Sequence, residues 1–153
     1  MRHMISDWVT VRVDDLSFGV LDYGDIPIET ADWTNGLVAV MCDGAVICTG
    51  IHTGNVLVRV ALHPFAPSDA GDGWEETAEV SVHSRRGLLR VESYEDGAVE
   101  DLPLLSTAGP GWYRLRVHAR GRSINPDGVQ ETPVEHYLLA VWPAPPSDGS
   151  PLQ

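Results

Sequence analysis

Apolar and polar residues alternate most regularly over 112–120. Tyr113, Leu115, Val117 and Ala119 fall on one side, and Trp112, Arg114, Arg116, His118 and Arg120 on the other. A period of two marks a strand with one face in a core and one in water. Gly109, Pro110 and Gly111 form a turn just before it. A Gly-x-Tyr-x-Leu-x-Val run entering a strand after such a turn is the pattern by which antiparallel sandwiches fasten a corner with a tyrosine hydroxyl.

The same alternation recurs along the chain. Val9, Val11 and Val13 predict a short first strand, and Leu16, Phe18 and Val20 a second that ends in a turn at Tyr23-Gly24-Asp25. Residues 26–35 read as a connecting loop in which Trp33 is expected to plug one open end of the core, a ligand-stacking role being the alternative. The runs 37–41 and 45–48 flank Asp43-Gly44 and predict a hairpin closed by a type I′ turn. Residues 55–62 are apolar on both faces, as a central strand requires.

The Pro-, Gly- and Asp-rich stretch 63–73 is a long loop. Strands are predicted over 74–84, with Val80 and Val82 inward, over 88–94, and over 98–102. A polar loop, 123–133, leads to a last strand at 134–142. That strand is apolar on both faces and is expected beside 112–120. No stretch shows a sustained period of 3.6. The expected architecture is therefore all-β: a single-domain antiparallel β-sandwich of about nine or ten strands over residues 7–143. Residues 144–153, rich in Pro, are expected to form a disordered tail.

Charge adds the first functional constraint. The chain carries 22 acids against 10 bases, a formal net charge of −12, and every base is Arg. Such a surface repels nucleic acid, whose binders displace counterions with basic patches, so direct DNA or RNA binding is not expected. It attracts a basic partner instead, although acidity also serves solubility alone. The first residues hold no apolar run of signal-peptide length and no segment has the length of a membrane span, which points to a cytoplasmic location.

The acids concentrate in two groups. No Lys or Arg occurs between Arg12 and Arg59, while Asp14, Asp15, Asp22, Asp25 and Asp32 all fall there; Glu92, Glu95, Asp96, Glu100 and Asp101 form the second group. Both are rich in turns and can present carboxylates to a cationic cleft, or serve as a solvated rim. A different candidate is the polar face of the 112–120 strand, where Trp112, Arg114, Arg116, His118 and Arg120 line up. Its guanidinium groups suit a carboxylate or phosphate. The plainer reading is a cross-strand ladder with Glu79, Glu92 and Glu135.

Other chemistries find less support. His52, His63, His83, His118 and His136 stand each on its own segment without metal-ligand spacing, so no metal or cofactor is expected. Cys42 and Cys48 read as small buried hydrophobes rather than a disulfide. There is no Gly-x-Ser-x-Gly elbow and no phosphate-binding loop.

The order of features resembles a known family. Leu16-Ser17-Phe18-Gly19-Val20, then Asp32-Trp33-Thr34, then Asp43-Gly44-Ala45-Val46, then the apolar strand at 56–60 make up its first half. Glu79-Val80-Ser81-Val82, residues 87–93, Leu102-Pro103, Gly111-Trp112-Tyr113-Arg114-Leu115 and Tyr137-Leu138-Leu139-Ala140-Val141 make up its second. Together, over residues 16–142, they resemble competence protein J, a bacterial nuclease-inhibitor family. The resemblance implies a small cytoplasmic sandwich that binds a nuclease and silences it, and it carries over no binding residue by motif.

Three functions follow as expectations. The first is a non-enzymatic acidic protein that occludes a basic partner such as a nuclease, through Asp14, Asp15, Asp22, Asp25 and Asp32 or through Glu95, Asp96, Glu100 and Asp101. The alternative is a sandwich binding a small anion or sugar on the Trp112, Arg114, Arg116, His118 and Arg120 face. The third is a hydrolase, which requires two carboxylates or a His pair to converge in one cleft.

Overall fold

A computed structural model describes residues 4–68 and 71–147. Among the described residues twelve strands run in chain order as β1 (Met4–Ile5), β2 (Val9–Val13), β3 (Ser17–Asp22), β4 (Val38–Val40), β5 (Ala45–Cys48), β6 (Thr53–Leu62), β7 (Glu76–Ser84), β8 (Leu89–Ser93), β9 (Gly97–Ala98), β10 (Gly111–Arg120), β11 (Val129–Gln130) and β12 (His136–Pro143). The one helical element among the described residues is a 3₁₀ turn, Ile28–Thr30.

The strands build two facing sheets, so the all-β sandwich read from alternation is the fold. The large sheet has the order β1-β6-β12-β10-β7, with β2 and β11 also pairing β6; the small one has the order β4-β5-β3-β8-β9. Between them lies one core, with Phe18, Val20, Ile47 and Val91 from the small sheet and Val58, Val60, Leu115, Val117, Tyr137 and Leu139 from the large one. These are the inward positions of each alternating run.

β12 lies beside β10 as expected, with Val117 opposite Leu139. Its other neighbour is β6, which it pairs in parallel, His136 opposite Leu57 and Val141 opposite Leu62. Parallel neighbours need a long crossover, and here the chain returns through β7 to β10 before reaching β12. The tyrosine corner also forms: the Tyr113 hydroxyl donates to the Gly109 carbonyl at 2.6 Å and accepts the Ala108 N–H at 2.9 Å.

Several local expectations are corrected. The β4–β5 hairpin closes at Val40 opposite Ala45, two residues wider than a type I′ turn at Asp43-Gly44 allows. Of the pair only Gly44 takes a positive φ, 72°. Leu16 belongs to a turn rather than to the strand, with φ 65° and a partly exposed side chain. The strand expected at 98–102 shrinks to β9, because the Leu102 N–H turns back onto the Val99 carbonyl. Trp33 does not plug the core; its side chain is 52% exposed beside the Asp32–Val40 bridge.

Of the tail expected at 144–153, residues 148–153 lie outside the described residues. Before them, the Ala144 N–H reaches the Trp112 carbonyl and the Ser147 N–H the Ser81 hydroxyl.

Candidate functional site

The first acidic group does not form one surface. β3 separates it, putting Asp14 and Asp15 at one end of the sandwich and Asp22 and Asp25 at the other, about 17 Å apart for a six-residue strand. Asp22 leaves the surface altogether. It is fully buried and accepts hydrogen bonds from the Ser84 hydroxyl at 2.9 Å, the Arg86 N–H at 2.6 Å and the Leu88 N–H at 3.0 Å. Burial works against its charge, but those bonds and the Arg86 guanidinium outweigh it and hold the carboxyl below its usual range. Asp22 thus anchors the β7–β8 turn, and the expectation that it meets a partner is corrected.

Asp25 sits between Arg85 and Arg86, at 3.0 and 3.5 Å, which neutralises it locally. Asp32 is exposed and folds back on the Thr34 hydroxyl and N–H, which hold it below its usual range. Asp14 faces Arg12 at 3.9 Å, and Asp15 faces His52 at 3.8 Å.

The second group gathers where β8 turns into β9. The Tyr94 hydroxyl meets the Ser17 hydroxyl at 2.8 Å, which brings the following Glu95 and Asp96 to the Asp15 end of the sandwich. Glu95, Asp96, Glu100 and Asp101 are all exposed. Glu100 and Asp101 line a groove of about 780 Å³ together with Asp7, Met4, Trp8 and Arg90. Arg90, the one base lining it among the described residues, is turned toward the Leu102 carbonyl at 3.1 Å. Glu100, Asp101 and Asp7 thus share one groove, while Glu95 and Asp96 lie toward the Asp15 end. Asp7 was not foreseen, since it precedes the first alternating run and only the folded chain puts it beside the 100–103 segment.

The outer face of the large sheet carries the second candidate. Glu79 spans two guanidinium groups, receiving Arg114 Nη2 at 2.8 Å and Arg116 Nε at 2.9 Å. Burial opposes its charge, yet the two arginines hold its carboxyl below the usual range. Of the three glutamates expected in this ladder, only Glu79 takes part. Glu92 lies on β8 in the other sheet, accepting the Gly24 N–H at 3.1 Å, and burial pushes its carboxyl up. Glu135 is buried beneath β6 and β12, bonded to the backbone of Gly50 and Ile51.

Three tryptophans of distant segments reinforce this face. Arg116 lies over Trp142 at 5.0 Å, Arg120 over Trp74 at 4.9 Å and Arg59 over Trp8 at 4.8 Å. His118 is buried and donates through Nδ1 to the Leu138 carbonyl at 3.1 Å. Trp112 packs on His83 at 4.8 Å. Between Arg59, Arg116 and His118 lies a hollow of about 270 Å³, with Ala61, Ala140 and Leu138 as its floor.

Among the described residues no three His, Cys, Asp or Glu side chains are placed to hold a metal, and no helix is long and apolar enough to cross a membrane. Cys42 is exposed and Cys48 half-buried, both as free thiols, and burial pushes the Cys48 thiol up.

No family model matches the sequence, and no curated protein matches it. Among solved structures, the chain is similar to ComJ from Bacillus subtilis, an inhibitor of the DNA degrading activity of NucA. The TM-score is 0.64 at 17% identity, over 94% of this chain and 100% of that one. It is also similar to the crocagin biosynthetic gene J product, with a TM-score of 0.54 at 14% identity over 94% and 99% of the two chains. At these identities the likeness is one of fold, and the chain has a ComJ-like fold.

Proposed function

We propose that this protein is a non-enzymatic inhibitor that binds a basic protein, a nuclease, and covers its DNA-binding cleft. The observation that carries this reading is the placement of these acids. Asp15, Glu95 and Asp96 lie toward one end of the sandwich, and Glu100, Asp101 and Asp7 border a groove of mixed polar and apolar lining. A nuclease grips DNA through a basic cleft, and a set of exposed carboxylates offers that cleft a substitute polyanion. The net charge of −12 adds long-range attraction. The ComJ-like fold supports the same reading, because that neighbour inhibits a DNA-degrading activity.

The test is capture of basic proteins from lysate on the immobilised chain at low and high salt. DNA degradation by the captured nuclease is then assayed with and without the protein. Inhibition that weakens with salt is the expected result. A captured nuclease whose activity is unaffected sinks the reading.

A further inference from the structure

We propose that the hollow on the outer face of the large sheet binds a small monocarboxylate with a compact apolar body, its carboxylate paired with Arg59. The hollow, about 270 Å³, lies just under the roughly 300–1,000 Å³ of pockets that take drug-sized ligands. It therefore suits a benzoate-sized acid.

Arg59 supplies the polar end. Other arginines are ion-paired: Arg114 and Arg116 share Glu79, Arg122 pairs with Glu76, Arg85 and Arg86 with Asp25, and Arg12 with Asp14 and Glu131. Arg90 bonds the Leu102 carbonyl and Arg120 lies over Trp74, neither of them lining the hollow. Arg59 lies over Trp8 with no carboxylate partner among the described residues, and its enclosed Nε makes no hydrogen bond there. In a chain with more than twice as many acids as bases, a half-buried guanidinium that none of the described acids reaches is poised for an anion from outside. A buried donor left without an acceptor costs about 1–3 kcal/mol, and a carboxylate would relieve that cost while the Trp8 ring holds the guanidinium plane in place.

The rest of the hollow sets the class of ligand. Cross-strand register puts Ala61 opposite Ala140 on β6 and β12, and the two small side chains leave room that bulkier residues would fill. Leu138 and Ile5 complete an apolar lining. Of the other polar groups lining it, Arg116 is committed to Glu79 and His118 to the Leu138 carbonyl, and His63 is likewise partnered; Ser68 also lines it. One available guanidinium suits one negative charge, and a chain of net charge −12 repels a dianion such as phosphate. The site is separate from the acidic groove: Ile5 lines the hollow, whereas Met4 and Ser6 line the groove.

The experiment is titration of the full chain with benzoate, benzamide and inorganic phosphate, followed by amide NMR shifts and calorimetry. Benzoate is expected to give saturable shifts at Arg59, Ala61 and Ala140, with benzamide and phosphate about tenfold weaker or worse, the loss of one charge-assisted hydrogen bond. Arg59→Gln is expected to lower benzoate affinity about tenfold and to leave benzamide unchanged. Ala140→Leu, which fills the floor, removes binding of both. Equal binding of benzamide and benzoate overturns the proposal, as does equal binding of phosphate or no saturable shift at millimolar benzoate. Because Arg59→Gln lies at the surface and changes no core volume, it decides the question even if Ala140→Leu does not fold. The assay needs no partner protein, so its failure and that of the inhibitor reading are distinguishable.

Discussion

The carboxylate of Glu135 accepts the Ile51 N–H at 2.7 Å across 84 residues of sequence. It also accepts the Gly50 N–H at 3.0 Å and the Tyr137 hydroxyl at 2.5 Å, and it is fully buried. One acid thus ties the corner before β6 to the start of β12, beside the parallel pairing of those strands. The Tyr137 phenol is pushed far above its ordinary value, by burial first and then by the Glu135 charge.

Replacing Glu135 with Gln leaves one oxygen where two accept, and sets an amide N–H against a backbone N–H. Glu135→Gln is expected to cost about 2–4 kcal/mol in denaturant unfolding, the range for breaking a buried charged hydrogen-bond set. A loss below half a kilocalorie, in about the range of an ordinary surface substitution, would show that the backbone holds the corner without it.

The tyrosine corner makes a smaller claim. Tyr113→Phe removes the bond to the Gly109 carbonyl and leaves the Ala108 N–H without its acceptor. A loss of about 1–2 kcal/mol is expected, seen as a Tm lower by about 2–8 °C. Unchanged Tm would mean that water replaces the hydroxyl at no cost.

Glu79 is held below its ordinary range by Arg114 and Arg116. Its folded pKa is depressed, so its contribution to stability is present above the unfolded value and is lost as pH falls through the folded one. Glu79→Gln should therefore lower Tm at neutral pH, and the gap from the unsubstituted protein should close as pH falls below 4.5, the ordinary value. A gap that persists in strong acid would assign the effect to packing rather than charge.

Glu92 has the opposite sign. Burial raises its carboxyl above the ordinary 4.5, so the fold favours its protonated form, and stability falls as pH rises through the folded value. Glu92→Gln keeps an oxygen for the Gly24 N–H and is expected to raise Tm at neutral pH while changing little in acid, as thermal melts across pH would record. Equal effects at both ends would remove the charge explanation.

Reversing the charge of Glu95, Asp96, Glu100 and Asp101 together is expected to slow association with a captured nuclease about tenfold or more at low salt, and less at high salt. Reversing Asp25 and Asp32, at the far end of the sandwich, serves as the comparison. Stopped-flow or surface binding rates that fall equally per charge reversed for the two sets would argue for net charge alone and against a localised contact.

Alternation along the chain determined which side chains share a face. It was enough to find β10, β6 and β12 with their inward residues, to place Tyr113 at a corner and to align Arg114, Arg116 and His118 outward, because strand geometry alternates faces whatever the neighbours are. Glu79 as a ladder partner was legible for the same reason. Tertiary structure decided everything that depends on pairing between distant strands. Asp22 and Asp25 look alike in sequence, yet only Asp22 lies under the β7–β8 turn, where three donors converge on it. Glu135 looks like another rung of the ladder until the corner at Gly50 closes over it. Arg59 and Ala140 are 81 residues apart, and only the parallel register of β6 with β12 makes them two walls of one hollow. Periodicity is a local property of the backbone, whereas register and burial of charge come from contacts that the chain makes only once both sheets have formed.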